Sequence, residues 1–183
     1  RKMLDNPGFK TEFINRFADL LNTSFLTSRI LSEMNAMKAQ LEPSVQEHFS
    51  RWEVPFDTGD WEYFLGCQTD FANQRPTFQR THIREKFGIA SNINANLDVS
   101  NPIHGYIKMN SIDVKAGTDG ITSNPYPWTG IYFSNIPVTM KAIANPGFVF
   151  SHWSGASTST NSEITVTSAT NFSVTAVFVP ETV

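Results

Sequence analysis

The chain has 183 residues, 40% of them hydrophobic and 13% aromatic, and a net charge of -3. That is room for one sizeable domain or two small ones, each with a packed core. The charge balance excludes a strong nucleic-acid footprint, and no apolar run is long enough to span a membrane as a helix.

A single cysteine, Cys67, excludes an internal disulfide and a zinc site built on cysteines. It falls in an apolar helical pattern and is expected to be a buried thiol. The opening residues carry no signal-peptide pattern, and the chain enters a helix soon after Arg1. It therefore reads as a piece of a longer protein.

In chain order, Asn6-Pro7 marks a helix start, with Asn6 as N-cap and Pro7 at the first helical position. Phe9, Phe13, Phe17 and Leu20/Leu21 recur at helical spacing, with Ile14 widening the stripe. Asn22-Thr23-Ser24 stops that helix. Thr27 is expected to cap the next, whose apolar face is Ile30, Leu31, Met34, Met37 and Leu41. Pro43 should end or kink it, with a new helix through Val45, Phe49 and Trp52. Glu53 to Gly59 reads as a loop. Trp61, Phe64, Leu65, Phe71 and Ala72 form a further stripe, which Arg75-Pro76 should break. A last helix, with Phe78, Ile83 and Phe87, closes at Gly88. Arg75, Arg80, Arg84 and Lys86 make it basic, as a solvated face would be.

After Gly88 the period changes to two. Ile93, Ala95, Leu97 and Val99 alternate with Asn92, Asn94, Asn96 and Asp98. Short strands follow at 106–110, 112–115, 128–133, 138–144, 148–153, 164–167 and 172–179, with Pro, Gly and Asn punctuation between them. The predicted architecture is α+β: an N-terminal helical bundle segment over 1–88, then a small all-β sandwich-like or open-barrel domain over 89–183. The join at Ala90 to Asn92 is short, which predicts little hinge motion.

The residues offer few candidates for chemistry. His48, His82, His104 and His152 are split between the halves and lack a metal-ligand spacing. Asp113, Asp119 and Asn124 lack the spacing of a calcium loop, and turn chemistry accounts for them equally well. Glu53, Asp57, Asp60 and Glu62 sit where helix caps are needed. Ser24, Ser44 and Ser154 have no nucleophile-elbow context. No catalytic, cofactor-binding or metal residue is therefore assigned. Trp153 is expected in the core. Tyr126 and Trp128 flank prolines at a loop exit, and stay open either as core or as a ligand platform for sugar rings.

The residues Asn6-Pro7-Gly8-Phe9-Lys10, the run Phe13-Ile-Asn-Arg-Phe-Ala-Asp-Leu-Leu-Asn-Thr23, Trp52, Arg75-Pro76, His82-Ile83-Arg84 and Phe87-Gly88 resemble the C-terminal part of the spore-coat protein H (CotH) kinase family. Pro137-Val138-Thr139, Pro146-Gly147-Phe148, Phe150, Trp153-Ser154-Gly155 and Thr175-Ala176-Val177-Phe178 resemble a divergent internalin-B-type bacterial repeat. The first resemblance implies an atypical protein kinase that moves phosphate from ATP to protein serine, with ATP and a divalent metal held upstream of this chain. No essential aspartate of that family maps onto these residues, and no Gly-rich phosphate loop is present. The expectation is a fragment without catalysis of its own, whose partner is the upstream kinase lobe of the same chain. The repeat would then be a spacer or interaction module on a secreted or surface bacterial protein. The alternative is an extracellular module that binds glycan or protein and has no kinase activity.

Overall fold

A computed structural model describes residues 2–53 and 57–182. A short 3-10 turn, Lys2–Asp5, leads into α1 (Pro7–Leu21). The Asn6 side chain accepts from the Phe9 N–H at 3.1 Å, so the expected cap forms. Helices α2 (Thr27–Trp52) and α3 (Thr58–Phe87) make a long antiparallel-type pair, and Gly88 closes α3 at φ 66. Of the expected loop at Glu53 to Gly59, residues 54–56 lie outside the described residues. Asp57 caps α3 by accepting from the Asp60 N–H at 3.0 Å.

Four expectations for the helices are corrected. Pro43 does not break its helix: α2 runs through it. Pro43 and its i−4 residue Ala39 are both exposed, so water can serve the carbonyl that the proline leaves unpaired. Pro76 likewise lies inside α3. Here the unpaired carbonyl is that of Ala72, and the Thr27 hydroxyl donates to it at 3.0 Å. Thr27 is therefore not the cap of α2. Leu26 occupies that position and makes no side-chain cap bond. Cys67 is exposed rather than buried, because the helical stripe it belongs to is largely uncovered.

The strand half follows its period-two pattern except in β6, where a bulge between Phe150 and His152 shifts the register. The strands are β1 (Asn92–Val99), β2 (Gly105–Met109), β3 (Ile112–Val114), β4 (Trp128–Phe133), β5 (Val138–Ala144), β6 (Phe148–Gly155), β7 (Glu163–Val166) and β8 (Phe172–Pro180). They form two four-stranded sheets, ordered β4-β1-β8-β6 and β3-β2-β5-β7. The layout is sandwich-like, and neither sheet closes into a barrel. All neighbours are antiparallel except β1 and β8, the first and last strands, which pair in parallel.

One core serves both sheets. Leu97, Ile107, Met109, Val114, Val138, Met140, Trp153 and Val174 are all buried in it. Trp153 is fully enclosed, and its indole N–H donates to the Asn161 carbonyl at 2.9 Å. The same core takes in Ile14 and Ala18 of α1 and Ile83 of α3. The first helix therefore contributes to the apolar interior of the strand half.

Candidate interaction surface and the helix–sheet joint

Helix α1 carries two rows at i, i+4, i+7 spacing. Ile14, Ala18 and Leu21 form a buried apolar row. Beside it, Asn15, Asp19 and Asn22 form a buried polar row, and each of these three reaches the strand half. Asn15 donates its side-chain amide to the Pro137 carbonyl at 2.7 Å. Asn22 treats the edge strand β4 as a strand would. Its Nδ2 donates to the Ile131 carbonyl at 2.9 Å, and its Oδ1 accepts from the Ile131 N–H at 3.0 Å. The same Oδ1 accepts from Arg80 of α3 at 3.0 Å.

Asp19 sits at the centre of the joint and is fully buried. Its Oδ1 accepts from the Tyr132 hydroxyl at 2.9 Å and from the Asn110 side-chain amide at 3.2 Å. Its Oδ2 accepts from both the N–H and the hydroxyl of Ser111. Asn110 holds a left-handed φ of 44 in the β2–β3 turn, and that turn brings both residues to the helix. Four donors converge on one carboxylate, and no cation is ion-paired with it among the described residues. Burial pushes the Asp19 carboxyl above its ordinary range, against the lowering effect of its donors. Burial, with the Asp19 charge second, also raises the Tyr132 hydroxyl well above its usual value. Arg80, expected on a solvated basic face, is instead buried against Leu21 and Asn22 of α1, and that burial lowers its pKa.

The opposite side of the helices is apolar and uncovered. A groove of about 720 Å³ lies among α1, α2 and α3, bordered by Leu21, Phe25, Met34, Phe64, Cys67 and Phe71. Phe64 is 56% exposed and Phe71 64%. Isolated exposed apolar residues are ordinary; here Phe64, Cys67 and Phe71 are exposed together along one groove.

The residues singled out in the sequence fall as follows. Tyr126 is 7% exposed, and its hydroxyl accepts from the Ile107 N–H at 2.7 Å. Trp128 is half-buried, packs on the core and lies across Gly130, where a Cβ would come within 2.4 Å of its ring. No ring contact links the two among the described residues. Asp113 pairs with Lys115 at 3.3 Å and Asp119 with Arg29 at 3.2 Å, so two of the candidate calcium oxygens already face cations. Glu62 pairs with Lys38 at 2.8 Å. His104 stacks on Phe148 at 3.9 Å, and the His152 ring lies 3.0 Å from the Ser151 hydroxyl. Among the described residues, no group of three His, Cys, Asp or Glu is placed to hold a metal, and no helix is long and apolar enough to cross a membrane.

The polar row Asn15, Asp19 and Asn22 was not singled out from sequence, although its one-face spacing was the available signal. The architecture is thus a helical segment docked onto a two-sheet β module through α1, with Ile83 and Phe87 of α3 packed beside it. Residues 1–79 match the family model of the CotH kinase protein, and residues 110–182 match that of the divergent InlB B-repeat domain. These are the two families that the residue patterns resemble. No curated protein and no solved structure matches the chain.

Proposed function

We propose that this chain is the non-catalytic C-terminal part of a CotH-like atypical protein kinase, with the β repeat as a spacer or interaction module. The activity would belong to a catalytic lobe preceding Arg1, holding ATP and a divalent metal and passing phosphate to protein serine. The carrying observation is the docking of α1. The helix with the kinase-like residue run is fixed to the repeat through Asn15, Asp19 and Asn22. The repeat therefore keeps a set attitude to the kinase-like segment. That fixed attitude supports a semi-rigid spacer or interaction module, on what would be a secreted or surface bacterial protein.

The test is a phosphate-transfer assay with labelled ATP, magnesium or manganese, and a serine-containing protein substrate. The 183-residue chain alone is expected to transfer nothing. The polypeptide extended upstream of Arg1 is expected to be active. Transfer by the 183-residue chain alone would overturn the reading.

A further inference from the structure

The chain leaves more surface open than a compact monomer of its size, and the apolar groove among α1, α2 and α3 is part of that surface. A compact monomer of 20.5 kDa exposes about 8,900 Å². This chain exposes 11007 Å². The excess, about 2,000 Å², is spread over the whole chain, with Trp52, Tyr63 and Ile103 exposed outside the groove and Phe64 and Phe71 exposed within it. Every residue lining the groove lies between Phe17 and Gln79, inside the segment that matches the kinase family model. The other side of α1 is already committed to the β module.

Charge identifies the kind of occupant. Arg75 is the one charged side chain in the lining among the described residues. Its guanidinium donates to Gln79 at 2.7 Å and lies 5.8 Å from the Phe71 ring centre, and it has no carboxylate partner among the described residues. A second copy, packed by two-fold symmetry, would present this same lining. That lining holds a cation and no acid, so packing one lining against the other would bring Arg75 no counter-charge from within the groove. The groove calls for a different surface, apolar with a carboxylate.

We propose that the groove seats an amphipathic helix of the catalytic lobe, with its apolar face down and an Asp or Glu against Arg75. This rests on the function proposed above and adds where, and by what chemistry, the lobe is held. Apolar helix faces laid into helical grooves are a recurring mode of recognition.

Cys67 is the sole cysteine of these residues, lines the groove and is exposed, so its thiol reports on cover. The experiment is maleimide labelling of Cys67, read by peptide mass spectrometry, in the 183-residue chain and in the polypeptide extended upstream. Labelling is expected to slow at least about tenfold in the longer polypeptide, since the thiol would react only from an opened state. Arg75→Glu is expected to restore much of the rate, and Arg75→Gln less of it. Helicity measured by circular dichroism should stay unchanged in both. If the longer polypeptide transfers phosphate while Cys67 labels at the same rate in both, the docking inference is overturned and the function stands. If Cys67 is protected without phosphate transfer, the docking is supported and the kinase reading fails. If light scattering shows a dimer of the 183-residue chain with Cys67 protected, the occupant is a second copy and the inference is overturned.

Discussion

The Thr27 hydroxyl donates to the Ala72 carbonyl at 3.0 Å, the acceptor that Pro76 deprives of its helical N–H. One residue on α2 thereby makes a proline tolerable in α3. Thr27→Val should strand that carbonyl and cost about 1–3 kcal/mol. In a Pro76→Ala background the alanine N–H can restore the helical bond, so the same substitution should cost less. A double-mutant cycle by urea denaturation should give a coupling of about 1 kcal/mol or more. Additive effects would show that water, not Thr27, serves Ala72.

Asp19 links the helix to three side chains of the strand half. Asp19→Asn keeps the shape but replaces one acceptor oxygen with an amide donor that faces other donors, and should cost about 3 kcal/mol. The pH dependence has a definite sign. Burial raises the folded-state carboxyl above its unfolded value, so the fold keeps the proton where the unfolded chain has lost it. From about pH 4 upward, to the pH at which Asp19 ionises in the fold, this residue lowers stability as pH rises. Melting temperatures of the Asp19→Asn variant across that range should lack this component.

Asn22 completes the hydrogen bonding of the β4 edge at Ile131. Asn22→Ala should cost about 1–3 kcal/mol. It also bares a strand edge, so the variant should self-associate at concentrations where the parent stays monomeric. Analytical ultracentrifugation alongside a denaturant titration measures both effects.

Trp153 is enclosed by the β core. Trp153→Ala should cost about 3–5 kcal/mol, close to the whole stability of a small domain. A thermal melt in which the variant unfolds at the parent's temperature would refute a core role.

The strands were legible because burial imposes a period of two. Ile93, Ala95, Leu97 and Val99 alternate in the sequence and are buried in the structure. Prolines follow a local rule, which fails where something else serves the freed carbonyl: water at exposed Ala39, the remote Thr27 hydroxyl at Ala72. Nothing near Pro76 in sequence shows that Thr27 will serve Ala72. Cys67 was misread for a related reason: an apolar helical stripe indicates a buried face, but not whether its cover lies within the same residues. The run from Phe13 to Thr23 suggested a family without showing its task here. Its polar members Asn15, Asp19 and Asn22 look like an ordinary solvated face until the turn at Asn110-Ser111 and the edge at Ile131 arrive from about 90 to 110 residues away.

The parallel pairing of β1 with β8 has a mechanical consequence. Chain enters the β module at the start of β1 and leaves it at the end of β8, and these points lie at opposite ends of one hydrogen-bonded ladder. Tension applied at these two points, once the contacts of α1 have given way, therefore pulls the two strands past each other in shear. The rungs from Ala95 opposite Phe172 to Val99 opposite Ala176 share the load together instead of opening one by one.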